Sequence, residues 1–215
     1  MPWTDRSENK YQDHHWRSDA YTPPTEHHFA LFVATEGFWA PLETYTAGDT
    51  ILPLTPSGGN GRMYRCTQSG TSAASEPTFP EIAGNTVADG SVIWQEMTPD
   101  FQSESAFLTE VSNVGTGYDR VVIARGNANF LGTHGTTTGP SSGTGGNIRN
   151  AVLIEFGTPV LDWGLVAHWG AYDQLNDLTW YAPLSIPRLV LNGSTPPAFP
   201  FGSLSITVNT KTAIV

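Results

Sequence analysis

Adjacent histidines occur twice in this sequence, at 14–15 and at 27–28, and each pair lies beside a carboxylate, Asp13 or Glu26. Imidazole and carboxylate groups together could bind a transition metal. Neighbouring side chains on a strand point to opposite faces, so one pair cannot hold one ion, and a site would need a histidine from each pair. We therefore expect solvated or interface histidines, and we predict no metal site.

Asp173 and Asp177 flank a short acidic loop whose oxygen atoms could bind calcium. The spacing of an EF-hand is absent. Aspartates in turns commonly accept hydrogen bonds from their own backbone, and this explains the same residues without an ion. The turn interpretation is the one that the sequence favours.

Nucleophilic and phosphoryl-transfer chemistry have no recognisable motif here. No serine stands in a G-x-S-x-G elbow, and no glycine-rich phosphate loop precedes either of the two lysines, Lys10 and Lys211. His168 lies in an apolar strand, which favours a core or interface position over the role of a general base. We expect a protein that is not an enzyme and that needs no cofactor.

Aromatic side chains offer the remaining chemistry, because sugars stack their C–H faces on exposed rings. Phe79 is the first candidate platform, since it lies in a proline-flanked loop, and Tyr64 and Trp94 are further candidates for glycan contact. The alternative is that Phe79 packs back onto Trp94.

Composition limits the partners. The 215 residues are 39% hydrophobic and 14% charged, which is typical of a folded chain, and the net charge of −10 opposes binding to nucleic acid or anionic membranes. No apolar run approaches the roughly 20 residues of a membrane helix, so we predict no membrane insertion. The polar N-terminus predicts no signal peptide. The single cysteine, Cys66, alternates with Tyr64 and is expected to be buried.

Scattered glycines and prolines between short β-rich runs predict an all-β protein with little helix. The run His28–Val33 is a strand without a local partner, and its continuation is expected near Ala106–Val111. The chain is thus predicted to be a β-sandwich of residues 27–37 and 101–215, interrupted by a small β domain, 38–100, that we call the insert. An extended N-terminal arm, 1–26, precedes both.

The insert is expected to form one three-stranded sheet around an aromatic core of Trp39, Tyr45, Tyr64 and Trp94. Its strands are predicted at Thr50–Pro53, Met63–Thr67 and Ser91–Gln95, with a turn at Gly58–Gly61.

Six further segments carry strand patterns after the insert, and a glycine- and threonine-rich tract, 132–146, predicts a long loop. The strands are predicted at Asp119–Ala124, Ala151–Phe156, Leu165–Tyr172, Leu178–Ala182, Arg188–Leu191 and Ser203–Val208.

Aromatic residues in the arm are assembly candidates, because an extended arm that exposed them all would leave too much apolar surface in water. These residues are Trp3, Tyr11, Trp16 and Tyr21.

The pattern of the insert from Trp39 to Trp94 resembles small chitin- and cellulose-type carbohydrate-binding modules. Through Tyr64–Thr67, Ser75–Pro77 and Asp89–Trp94, the insert resembles even more closely the inserts in structural proteins of tailed bacteriophages. In such proteins these modules often project as adhesion or decoration elements.

The outer domain resembles small tail-fibre-like or head-decoration proteins of tailed phages. The matching segments keep their order along the chain: His28–Phe32, Glu110–Ser112, Gly117–Val121, Trp163–Gly170, Ala182–Pro187 and Gly202–Val208. This resemblance implies a virion protein, made in the host cytoplasm, whose partners are other capsid, neck or tail proteins.

The resemblance further implies attachment to the particle through the arm, an insert that contacts host-cell glycan, and a homo-oligomer, with a trimer as the first expectation. A free lectin is the main alternative. A glycan-degrading tailspike is the other, but such enzymes need paired carboxylates on a long β-helix, and the sequence has no repeat that predicts one.

Overall fold

The computed structural model describes residues 5–17, 20, 22–55, 60–82, 84–97, 108–132 and 147–207. In these residues the chain forms one helix and fifteen strands: α1 (Asp5–Arg17), β1 (Glu26–Ala34), β2 (Thr44–Tyr45), β3 (Thr50–Ile51), β4 (Tyr64–Gln68), β5 (Gly70–Thr71), β6 (Thr86–Asp89), β7 (Val92–Glu96), β8 (Val121–Ala124), β9 (Phe130–Leu131), β10 (Asn147–Asn150), β11 (Ile154–Glu155), β12 (Gly164–Tyr172), β13 (Leu178–Val190), β14 (Ala198–Phe199) and β15 (Ser205–Thr207).

Four antiparallel strands form a central sheet in the order β13–β12–β1–β8. β1 pairs with β12 from His28 to Ala34. Phe29 lies in the main core on one face of the sheet, and Phe32 lies in a smaller apolar cluster on the other. Burial of both faces explains why the sequence of β1 is a nearly continuous apolar run.

A second layer covers one face of the central sheet and consists of β15–β10–β9 and the pair β11–β14. Phe156 and Leu204 from this layer pack with Trp169 of β12 in the main core. Antiparallel layers around one core make a sandwich. The all-β prediction is confirmed.

The chain returns to β1 after the insert. Glu110 forms an isolated bridge with Phe32, and the amide of Val111 donates to the carbonyl of Leu31 at 3.0 Å. The predicted continuation is therefore found at its C-terminal end, whereas residues 101–107 lie outside the described part of the chain, as does the predicted loop at 133–146.

The insert contains a four-stranded sheet, β3–β4–β7–β6, and the separate pair β2–β5. The prediction of a single three-stranded sheet was wrong, because β6 forms a tight hairpin with β7 in which Asp89 is opposite Val92. Gly90 makes this turn with a φ of 62°. The predicted turn residues Gly58 and Gly59 lie outside the described residues.

The insert packs on the second face of the central sheet. One buried cluster joins Leu52, Met63 and Met97 of the insert to Ala34, Leu165 and Ala167 of the sandwich. The backbone adds a further link, since the amide of Glu36 donates to the carbonyl of Thr50 at 3.0 Å. The insert is thus seated on the sandwich through apolar contacts.

The N-terminal arm is not extended throughout: residues 5–17 form α1. The prediction of an extended arm was wrong there for two physical reasons. Arg17 pairs with Asp13 one turn earlier at 3.2 Å, and the basic residues of the last turn suit the negative end of the helix dipole. In addition, Lys10 pairs with Asp177 at 3.1 Å, which anchors the helix to the turn before β13.

Candidate functional site

The three glycan candidates lie in the core of the insert. Tyr64 and Trp94 are 0% exposed and Phe79 is 8% exposed, and all three belong to the same apolar cluster. Buried rings present no face on which a sugar could stack. A glycan platform on the insert would need other residues.

Two hydrogen bonds hold the side chain of Tyr64 in this core. The hydroxyl of Tyr64 donates to the carbonyl of Pro80 at 2.8 Å and accepts from the side-chain amide of Asn60 at 2.9 Å. The ring of Phe79 lies 4.5 Å from that of Tyr64, centroid to centroid. The proline-flanked loop therefore closes over the core, and Phe79 packs on Tyr64.

Asp89 is the polar centre of this core, and it was absent from the sequence-based candidates. Its Oδ2 accepts from the indole N–H groups of Trp39 at 2.7 Å and Trp94 at 2.9 Å, while its Oδ1 accepts from the amide of Ala73 at 2.8 Å. A buried carboxylate needs such donors. The signal that could have identified it is Asp89-Gly90, an acidic turn directly before an apolar strand.

Helix α1 presents aromatic rings to solvent. Trp16 is 79% exposed and Tyr11 is 47% exposed. The ring of His15 stacks on Tyr11 at 5.9 Å and meets the edge of Trp16 at 4.8 Å. The structure thus brings two of the four assembly candidates together on one helix. Trp3 and Tyr21 lie outside the described residues.

The anchor of α1 is an acidic turn. Asp173 Oδ1 accepts from the amides of Leu175 and Asp177, each at 2.9 Å, so the turn interpretation of these aspartates is confirmed. Lys10 Nζ lies 3.1 Å from Asp177 and 3.9 Å from Asp173. Lys10 therefore supplies the positive charge beside this acidic turn.

His168 lies where the insert meets the sandwich. Its Nε2 donates to the carbonyl of Gly61 in the insert at 3.1 Å, and its ring stacks on Tyr181 at 4.9 Å. Burial lowers the pKa of His168 to about 4, so the imidazole is neutral at physiological pH. The prediction of a core or interface histidine is confirmed.

A buried carboxylate completes this junction. Glu96 of β7 has a fully buried side chain and pairs with Arg62 at 2.8 Å. Cys66 is buried, as predicted, and burial raises the pKa of its thiol. These groups stabilise the insert and its contact with the sandwich, and they do not form an open site.

The paired histidines are separated. Residues 14–15 lie in α1, His28 bonds Glu26 at 2.8 Å, and burial lowers the pKa of His27. Within the described ranges, no group of three or more histidine, cysteine or acidic side chains is placed to hold a metal ion. None of the described helices is long and apolar enough to cross a membrane.

The sandwich carries an apolar groove of about 450 Å³ between the C-terminal half of β13 and the segment 197–205. Trp169 and Phe156 line it, and Ile186, at its rim, is 79% exposed. Its polar lining residues are Arg188 and the serines at 185, 203 and 205.

A protein-family model described as Podophage GP4 fiber I protein gp80 matches residues 85–207, which is more than half of the chain. The matched segment begins in the last hairpin of the insert and continues to the end of β15. No curated protein and no solved structure matches the chain significantly.

Proposed function

The chain belongs to the podophage GP4 fiber I protein gp80 family and is thus a phage virion fiber protein, and we propose that helix α1 attaches it to other virion proteins. The observation that carries the attachment role is the exposure of Trp16 and Tyr11 on a helix that is anchored to the sandwich through Lys10. The role is structural, without catalysis.

Exposed aromatic side chains on an anchored helix favour a protein partner. A tryptophan that is 79% exposed gains a large apolar contact on burial, and aromatic anchors dominate the energetics of many interfaces. Because α1 is already folded and held at Lys10, its docking costs less conformational entropy than the ordering of a free arm.

Particle incorporation tests this proposal. We expect Trp16→Ser to fold with an unchanged unfolding midpoint, because the ring is exposed, and to be depleted from purified particles. Deletion of residues 1–26 should abolish incorporation and leave a β-type circular dichroism spectrum. Val114→Ser is the matched control, since Val114 is 80% exposed on a loop far from α1 in sequence. Normal incorporation of both the Trp16 variant and the deletion would refute the attachment role.

The position on the particle, the oligomeric state and the domain organisation are also proposals. We propose a tail or neck position rather than a capsid lattice, a homotrimer, and residues 38–100 as an inserted domain that projects from the sandwich. The separate aromatic core around Trp94 supports the inserted domain, because a segment with its own core can fold as a unit. Light scattering of the purified chain tests the trimer.

Host-glycan adhesion by the insert is a further proposal, and its support is the resemblance of the insert to carbohydrate-binding modules. A glycan array probed with the purified protein tests it, and an array on which the protein binds no glycan would refute it. Sugar binding by a protein that is absent from particles would favour the alternative of a free lectin.

A further inference from the structure

The apolar groove on the sandwich has the size and the lining of a socket for aromatic side chains. Its volume is about 450 Å³, and a cavity of about 150 Å³ is already large enough to bind benzene. Phe156, Trp169 and Phe199 line the groove, and the ring of Phe199 meets the other two at an angle, with centroids 6.3 Å and 5.8 Å away. The groove therefore has room for two further rings and walls that can pack against them.

Helix α1 of the same chain carries exposed rings. Trp16 is 79% exposed and Tyr11 is 47% exposed, and the ring of His15 contacts both. We call these three residues the aromatic face of α1. An exposed group of aromatic side chains is typical of a surface that a partner covers. One chain thus carries both an aromatic face and an apolar groove.

The aromatic face does not fill the groove of its own chain. Lys10 holds α1 at Asp177, directly before β13 begins. Ile186, at the rim of the groove, lies nine residues further along the chain, which is about 30 Å of strand. Trp16 lies six residues from Lys10, which is only about 9 Å along a helix. The two surfaces are therefore separated along β13, and each is accessible to another molecule.

We propose that the aromatic face of α1 in one copy of this chain docks in the apolar groove of a second copy. The inference rests on the proposed function, in which α1 attaches the chain to virion proteins, and it names a second copy as the partner. Two different surfaces meet in this contact, so copies join head to tail and can close into a ring. A ring of three copies is the homotrimer proposed above.

The buried area favours a closed ring over an open pair. Two aromatic side chains bury roughly 300–500 Å², and the walls of the groove would lose a similar area. Each copy in a ring gives its helix to one neighbour and its groove to the other, so it buries roughly 600–1,000 Å² in total. This matches the roughly 800 Å² per partner of a stable interface, which a single contact does not reach.

The oligomeric state of the purified full chain tests the proposal, measured by light scattering and sedimentation equilibrium. We expect the wild type to be trimeric. Trp16→Ser and Ile186→Asp should each weaken association at least about tenfold and yield monomers with a β-type circular dichroism spectrum, because both side chains are exposed. Trp16→Phe keeps an aromatic ring and should assemble. Val122→Asp is the matched control, since Val122 is half exposed on β8 at the opposite edge of the central sheet.

A mixture of the two monomeric variants tests which surfaces meet. Copies with Trp16→Ser keep the groove, and copies with Ile186→Asp keep the aromatic face, so one contact remains possible between them. The mixture should form one-to-one dimers in a concentration series in which neither variant associates alone. Dimers cannot grow further, because the other two surfaces are disabled. A mixture that stays monomeric at every concentration overturns the docking of α1 in the groove.

Salt distinguishes an apolar contact from an ionic one. Each copy has a net charge of −10, so the copies repel one another, and salt that screens this repulsion should strengthen the assembly. An assembly that dissociates in salt would be held by ion pairs, and this result would overturn the apolar contact.

The remaining outcomes separate the inference from the function on which it rests. A monomeric wild type, or an Ile186→Asp variant that assembles like the wild type, overturns the inference. If Trp16→Ser is nevertheless depleted from particles, the attachment role of α1 stands with a different virion protein as its partner. Normal incorporation of both the Trp16 variant and the deletion of residues 1–26 refutes the proposed function itself.

Discussion

Replacement of Asp89 by asparagine is the most direct perturbation of the insert. The carboxylate accepts three N–H groups, from Trp39, Trp94 and Ala73, at a position that is 2% exposed. An asparagine has one acceptor oxygen, so in either orientation its NH₂ group faces at least one of these donors. At least one buried N–H loses its partner, and the remaining bonds lose the help of the negative charge.

The size of the effect follows from these contacts. One unpaired buried donor together with weaker charge-assisted bonds costs about 2–4 kcal/mol. For a chain of this size, that corresponds to a fall in the unfolding midpoint of about 5–15 °C. It is a large part of the ~5–15 kcal/mol that holds a typical domain folded.

Thermal unfolding followed by circular dichroism and tryptophan fluorescence measures this loss, and two of the seven tryptophans, Trp39 and Trp94, lie in the insert. Asp119→Asn is the control: it makes the same chemical change on an exposed side chain and should leave the midpoint unchanged. A midpoint for Asp89→Asn equal to that of the wild type would refute the argument that this carboxylate organises the aromatic core. Trp39 and Trp94 would then be held by packing alone.

Two further changes test the junction and the sandwich. Because the pKa of His168 is lowered in the folded chain, the unfolded chain binds a proton between pH 6.5 and about 4 that the folded chain does not bind. The free energy of unfolding is therefore highest above pH 6.5 with respect to this group, and it falls as the pH is lowered towards 4. Against His168→Gln, the wild type should lose about 3 kcal/mol over that range in denaturant titrations, and equal pH slopes would contradict burial of a neutral imidazole. Gly157→Ala would place a Cβ atom against the backbone oxygen of Gly117, and it should destabilise the sandwich by about 3 kcal/mol or more. At Gly115 an added Cβ meets no atom within 4 Å, so Gly115→Ala should cost about 1 kcal/mol through its positive φ alone, and similar unfolding midpoints for the two alanine variants would refute the close approach.

Apolar runs made much of the fold predictable from the sequence. The long strands β1 and β12 and the aromatic core of the insert are rich in apolar residues that are buried. The two strands predicted at Leu178–Ala182 and Arg188–Leu191 were wrong as separate elements, because they belong to the single strand β13. Strands β9, β10 and β14 were not predicted, because two of them are two residues long and the third is the polar run Asn147–Asn150. Their pairing depends on the layer opposite, which no local pattern encodes.

Helix α1 and the glycan candidates show where prediction from the sequence fails. The thirteen residues of α1 contain only two aromatic residues, Tyr11 and Trp16, and they form no apolar stripe. The helix is anchored by an ion pair between Lys10 and Asp177, which are 167 residues apart. An aromatic residue in a proline-flanked loop is equally compatible with a surface platform and a closed core. For Phe79 the deciding contact is with Tyr64, which only the tertiary structure reveals.

The central claim is that this chain is part of the particle, as a fiber component. Quantitative mass spectrometry of purified particles measures it directly by counting copies of this protein against a major capsid protein. The account predicts a small and constant copy number, set by the attachment points of a tail or neck. A copy number that matches the capsid lattice would contradict the fiber assignment, and absence from particles would contradict the virion role altogether.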